Sequence, residues 1–148
     1  MFPSPLGVLT AESEGGAVVR LVFGRVPGDE RPDGVLARLL RELGEYFRGA
    51  RRRFTVPFRP HGTAFQLKVW MELRRIPYGK TRTYQGVARG VGSPRGFRAV
   101  GQACRRNPVA ILIPCHRVVG GGGALTGFSS GLGRKKALLA LEDVAFPF

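Results

Sequence analysis

The apolar positions of this chain change their spacing several times, and each change marks an element. Apolar runs from Leu6 to Ala11 and from Ala17 to Phe23 flank Glu14-Gly15-Gly16. That pattern predicts two strands joined as a hairpin. Arg25 to Gly34 is rich in proline, glycine and charge and reads as a loop. Val35, Leu36, Leu39, Leu40, Leu43 and Phe47 then recur at helical spacing, with Asp33 as N-cap and Gly49 as the stop. Arg51-Arg52-Arg53 precedes a short extended piece, Phe54 to Phe58. These elements predict a small α/β domain over residues 1–60, whose role is that of a scaffold.

Pro60-His61-Gly62 reads as a linker. Thr63-Ala-Phe-Gln66 has the capping-box pattern that opens a helix. Phe65, Val69, Trp70 and Leu73 form its apolar face, and Pro77-Tyr78-Gly79 ends it. Thr83 caps a second short helix with Tyr84, Val87 and Ala88 in its early turns, and Gly90 to Gly92 is a turn. Ser93-Pro94 starts a third helix as N-cap and first-turn proline. It must stop by Asn107-Pro108, because the residue before proline is biased away from helical geometry. Two short helices about a glycine-containing turn make a helix-turn-helix pattern. The run Val109 to Ile113 predicts a buried strand, Arg117 to Val119 a second short one, and Gly120 to Gly123 a flexible turn with Leu125 to Phe128 as the return. Leu132, Leu138, Leu139 and Leu141 predict a closing helix with Arg134, Lys135 and Lys136 on its exposed side. The fold class is α+β: the small α/β domain, then a mostly helical domain over residues 63–148 of winged helix-turn-helix type.

Charge sharpens this division. The 148 residues carry a net +14. Residues 61–148 hold fourteen Lys and Arg against only Glu72, Glu142 and Asp143, so +11 of it belongs to the helical domain. A concentrated positive face points to a polyanion, most simply nucleic acid. No segment approaches the roughly 20 apolar residues needed to span a bilayer. Met1-Phe2-Pro3-Ser4-Pro5 lacks the basic and apolar regions of a secretory signal. Two cysteines, Cys104 and Cys115, make no disulfide framework and favour a reducing cytosol.

Candidate chemistry centres on Pro114-Cys115-His116-Arg117. The thiolate is the reactive form of cysteine, and a neighbouring imidazole is the usual means of generating it. His61 lies in the linker, so His116 is the better base. Adjacent side chains on a regular strand point opposite ways, so a turn or a bridging water must bring the pair into communication. The acid that orients the base comes from Glu72, Glu142 or Asp143.

The thirteen residues Asn107-Pro-Val-Ala-Ile-Leu-Ile-Pro-Cys-His-Arg-Val-Val119 resemble the active-site signature of the O6-alkylguanine-DNA alkyltransferases. The likeness extends upstream through Tyr84 and Arg98 and downstream to Glu142. It implies a DNA repair protein that moves a methyl or larger alkyl group from O6-alkylguanine, and from O4-alkylthymine, onto Cys115. Such a protein acts once, without cofactor, as a monomer on double-stranded DNA in the cytoplasm and nucleoid. The resemblance implies a link from Glu142 through His116 and water to the thiol. It makes Tyr84 the proton donor to the flipped guanine and Asn107 a pin for the active-site backbone. Arg98 matches the intercalating arginine, with Ala99, Gly101, Ala103 and Arg105 on the DNA side of the third helix. Val118, Phe128 and Ser129 match residues that hold the base. Many relatives have tyrosine at the position of Phe128, which keeps the stacking face and loses a hydroxyl. With no cysteine and only His61 before residue 104, the zinc site of some relatives is not supported.

Two rivals come from other classes. A non-catalytic lesion-binding relative of these proteins would lack the reactive cysteine, which is present here. A Cys-His hydrolase would turn over, and it leaves Arg98 and the charge asymmetry unexplained.

Overall fold

The computed structural model describes residues 1–25, 33–123 and 131–144. These form two compact units, one of Met1–His61 with Pro108–Ala110 and one of Gly62–Asn107 with Ile111–Phe148. Residue order alone suggests one cut near residue 61; the chain instead sends Pro108–Ala110 back into the first unit.

In that unit β1 (Leu9–Glu14) and β2 (Ala17–Phe23) pair antiparallel. Gly15 and Gly16 both take positive φ, as a two-residue hairpin turn requires. Glu12 pairs with Arg20 and Ser13 with Val18, so Val19 is an extra residue bulged out of β2. The other side of β2 is closed by two short parallel bridges, Val18 with Phe58 and Leu21 with Val109. The expected extended piece at Phe54–Phe58 is therefore a single bridge, and Leu21 exchanges backbone bonds with Pro108 and Ala110, both at 2.8 Å. Helix α1 (Gly34–Phe47) starts where Asp33 accepts from the Leu36 amide. It buries Leu39, Leu43, Tyr46 and Glu42. Glu42 is a latch: its carboxylate accepts from the amides of Thr55 and Val56 and from the Thr55 hydroxyl. Burial works to raise Glu42, but these bonds and Arg38 outweigh it and hold the carboxyl below its ordinary range.

In the second unit, the capping box forms as expected. Thr63 accepts from the Gln66 amide, Gln66 accepts from the Thr63 amide, and α2 (Ala64–Leu73) follows. It ends at Leu73, before the Pro77-Tyr78-Gly79 stop, and buries Val69, Trp70 and Leu73; Phe65 is only half-buried. Strand β3 (Arg82–Thr83) leads into α3 (Tyr84–Gly90), capped by the Thr83 hydroxyl. Helix α4 (Phe97–Arg105) starts three residues later than Ser93-Pro94 predicted. The Ser93 carbonyl accepts from the Gly96 amide at 2.7 Å, so Pro94 sits inside a β-turn, where its fixed φ suits the second position. The Trp70 indole donates to the Ala103 carbonyl at 2.9 Å and fixes α4 on α2.

The apolar run is a bend rather than a strand. Every residue from Val109 to Val119 is buried, but Ile111 has φ 71°, a left-handed conformation that breaks any extended run. Beyond it a 3-10 turn spans Cys115–Arg117, and β4 (Val118–Val119) pairs in parallel with β3. Helix α5 (Leu132–Leu141) closes the unit. Its inward stripe is Lys135, Leu138, Leu139 and Glu142, at helical spacing. Lys135 is thus fully buried, against the expectation of an exposed lysine, and Leu132 is exposed. No helix among the described residues is long and apolar enough to cross a membrane.

Gly62 tests how tightly α2 holds α4. A Cβ there would stand 2.6 Å from two ring carbons of Trp70, whose indole is pinned to α4. Gly62→Ala is expected to cost about 1–3 kcal/mol by overpacking, read as a lowered midpoint in thermal melts.

Candidate active site

Cys115, His116 and Arg117 are consecutive residues of one 3-10 turn, and all three are buried. Pro114 precedes the turn and its carbonyl accepts from the Arg117 amide at 3.0 Å. The turn replaces the alternation of a strand, so the two side chains are not forced onto opposite faces.

The Asn107 side-chain amide donates to the Ile113 carbonyl at 2.8 Å and to Cys115 Sγ at 3.2 Å. One residue past the end of α4 therefore clasps both the backbone bend and the thiol. Burial pushes the Cys115 thiol up, while the Asn107 bond and the Lys135 charge pull the other way. Cys104, on α4, is likewise pushed up by burial, with Cys115 adding to it.

His116 Nε2 meets Glu142 Oε2 at 2.8 Å, with both side chains fully buried. Its Nδ1 is buried and has no hydrogen-bond partner among the described residues. Burial holds the imidazole below its ordinary value despite the pull of Glu142, so it rests neutral. With Nε2–H donating to Glu142, Nδ1 carries the free lone pair of an acceptor.

Glu142 follows α5 at its C-cap. Asp143 takes φ 57°, its amide reaching the Ala140 carbonyl and that of Val144 the Leu139 carbonyl. This is the pattern of a Schellman ending with Asp in place of glycine. It turns Glu142 inward. Burial opposes the charge of Glu142, yet His116 and Arg117 hold its carboxyl down at about 2. Glu72, the rival acid, is taken up by Arg82 at 3.0 Å and by Arg75.

Tyr84 opens α3, half-buried, with Lys135 Nζ donating to its hydroxyl at 3.5 Å and lying 5.6 Å from its ring centre. Burial pushes Lys135 down, and the two cysteines act against that. Lys135 and Arg117 are the participants that sequence reasoning missed. The spacing of 135, 138, 139 and 142 was the available signal for Lys135.

On α4, Arg98, Ala99 and Arg105 are exposed, as is Gln102, to which no motif pointed. The spacing 98, 102, 105 makes one helix face. Ala103 does not belong to it. It is buried, with its carbonyl bound to Trp70. Gly101 is half-buried, and a Cβ there would stand 3.9 Å from Tyr84, so it faces the tyrosine. Arg98 is displayed with its guanidinium 5.9 Å from the ring of exposed Phe97. Of the base-holding residues, Val118 is fully buried in β4, while Phe128 and Ser129 lie outside the described residues. Among the described residues, no group of three or more His, Cys, Asp or Glu gathers as a metal site.

A buried thiol, an imidazole seated on a carboxylate, and an exposed helix face carrying Arg98 and Arg105 define a class of protein with cysteine chemistry and a basic surface in one unit. Residues 64–144 match the family model described as 6-O-methylguanine DNA methyltransferase, DNA binding domain. The methylated-DNA–protein-cysteine methyltransferase of Methanosarcina acetivorans is 44% identical, over 96% of each chain. The constitutive one of Bacillus subtilis is 40% identical, over 97% of this chain and 93% of that one. The solved structure of Mycobacterium tuberculosis OGT in complex with DNA superposes with a TM-score of 0.88 at 41% identity, covering 96% of this chain and 90% of the other. This chain belongs to the O6-methylguanine-DNA methyltransferase family.

Proposed function

We propose that this protein repairs O6-alkylguanine, and O4-alkylthymine, in double-stranded DNA by taking the alkyl group onto Cys115 in a single turnover. The observation that carries this is the buried turn in which Cys115 adjoins His116, itself seated on Glu142 at 2.8 Å. His116 Nδ1 takes the thiol proton through a water, and Glu142 stabilises the imidazolium that results. The thiolate attacks the alkyl carbon; the S–C bond forms as the C–O bond breaks. Negative charge left on the guanine is met by a proton from Tyr84, whose hydroxyl has the Lys135 ammonium beside it. The product is a thioether, which resists hydrolysis, so each molecule reacts once and no cofactor is required.

The target carbon lies within a stacked, paired base, so the nucleotide must be flipped out. Exposed Arg98 is suited to fill the vacated stack. The small side chain of exposed Ala99, next to Arg98, keeps that part of α4 slim enough for a narrow groove. Gln102 and Arg105 extend the same face toward phosphates. Val118, Phe128 and Ser129 are proposed to line the base pocket, the first unit to be scaffold, and the protein to act as a monomer in the cytoplasm on the nucleoid.

Intact mass after incubation with duplex carrying O6-methylguanine tests the reading. One methyl gained per chain, mapped to the peptide of Cys115, supports it. A methyl on Cys104, retention of the methyl on DNA, or repeated turnover overturns it. Arg98→Ala should slow repair in duplex by about tenfold or more, because flipping costs a few kcal/mol, while leaving transfer from the free base nearly unchanged. Equal losses on the two substrates would refute the stacking role.

A further inference from the structure

We infer that Arg117 is a positioning residue that keeps His116 neutral, and so able to accept a proton, by taking up the charge of Glu142. The inference rests on the reading of His116 as the base.

All three kinds of guanidinium nitrogen are engaged. Nε donates to Glu142 Oε1 at 2.7 Å, Nη2 to Glu142 Oε2 at 3.0 Å, and Nη1 to the Ile76 carbonyl at 2.8 Å. The planar group also stands 5.8 Å from the Tyr78 ring, and Tyr78 donates to the Leu141 carbonyl at 3.1 Å, beside Glu142 in the chain. Arg117 is thus held from three sides and grips the carboxylate in the bidentate geometry that lysine cannot reproduce.

Oε2 serves Arg117 Nη2 and His116 Nε2 at once. A buried carboxylate facing an imidazole alone carries an unbalanced charge, which favours a proton on the histidine or on the carboxyl itself. In the first case Nδ1 carries a proton and cannot receive one from the thiol. In the second the carboxyl no longer stabilises the imidazolium formed during reaction. Arginine, ionised at any working pH, removes the choice. The carboxylate stays charged, the ion pair is neutral overall, and the imidazole feels a hydrogen bond rather than a bare charge. The other groups facing His116 agree with this. Lys135 on α5 is cationic and disfavours an imidazolium, and Cys115 is a neutral thiol at rest. The ionisable residues of α2, which also packs on this turn, are Lys68, exposed, and Glu72, occupied by Arg82.

The test is the pH dependence of single-turnover alkylation by a free O6-alkylguanine base, for the full-length protein and for Arg117→Gln and Arg117→Lys. The wild-type rate should fall toward acid as His116 is protonated. Arg117→Gln should move that acid limb to higher pH by about one unit or more, since a bare carboxylate raises its partner by that order. Arg117→Lys keeps the charge and should hold the limb near its wild-type position, with the plateau rate lowered by the looser grip. A plateau loss with an unmoved limb in both variants would mean that Arg117 is only structural, and would overturn the inference. A wild-type profile with no acid limb would overturn His116 as base, and the inference with it. If Arg117→Gln does not fold, the nitrogen NMR shifts of His116 in the wild type decide. A neutral ring protonated at Nε2 near neutral pH is expected, and a resting imidazolium overturns the inference.

Discussion

Replacing Cys115 by serine is expected to end alkyl transfer, with a loss of at least about a thousandfold, while duplex binding stays within about twofold to threefold. Serine keeps the small polar atom that Asn107 clasps at 3.2 Å, so the bend from Ile111 and the 3-10 turn should persist. What it lacks is an accessible anion: a hydroxyl is far harder to deprotonate than a thiol, and a neutral histidine cannot compensate. The exposed face of α4 is untouched, so the salt-dependent part of DNA affinity remains. Gel-shift titration and intact mass on the same preparation check both halves. Residual methylation in this variant would point to Cys104.

Glu142→Gln is expected to damage stability and chemistry together. The carboxylate is the shared acceptor for Arg117 and His116, and removing its charge leaves a buried guanidinium with neutral acceptors only, the new amide oxygen and the Ile76 carbonyl. Breaking a buried pair in this way costs about 3–5 kcal/mol at neutral pH, readable in urea titrations. The acid behaviour should change as well. Glu142 is held at about 2 in the folded protein against 4.5 for the free side chain. Its stabilisation is therefore complete above about pH 4.5 and is lost as pH falls toward 2, about 3 kcal/mol in all. The variant should lack that share of the acid loss, so its stability difference from wild type should narrow steadily below pH 4.5. A constant difference down to pH 2 would refute the pairing. The thiol of the variant should also be less readily ionised, because His116 loses the group that stabilises its protonated form.

Much of this site could be read from residue order because local chemistry settles local structure. Asp33, Thr63 and Thr83 each cap the helix their position promised, since a short oxygen side chain before an apolar-periodic run has few better partners than the free amides. The contiguous motif from Asn107 to Val119 pointed to Cys115, His116 and Asn107, and the fold puts the first two in one buried turn with the Asn107 amide bonded to the Ile113 carbonyl and to the thiol. What failed was decided at long range. The strand expected at Val109–Ile113 gives way because Ala110 is bonded to Leu21, nearly ninety positions earlier in the numbering, while Ile111 turns the chain. Lys135 stands between Arg134 and Lys136 in a run of charge that reads as surface, but its place on the α5 stripe makes it interior. Arg117 as a clamp was not legible at all, since its partners Ile76 and Glu142 lie on either side of it in sequence and far from it. Ser93-Pro94 misled because the same dipeptide suits a helix start and the second position of a turn.

The return of Pro108–Ala110 to the first unit bears on how this molecule can be dissected. A fragment cut at the linker would leave the Ala110 amide and the Pro108 carbonyl without the Leu21 groups that each meets at 2.8 Å. Unpaired backbone groups at a formerly covered edge invite pairing between copies. Excision of the helical portion should thus yield a self-associating fragment, whereas a split between two co-expressed pieces, each bringing one side of the Leu21 pairing, can reassemble. The boundary is a seam crossed three times by the chain, and engineering that treats it as a hinge with one strand would inherit a sticky edge.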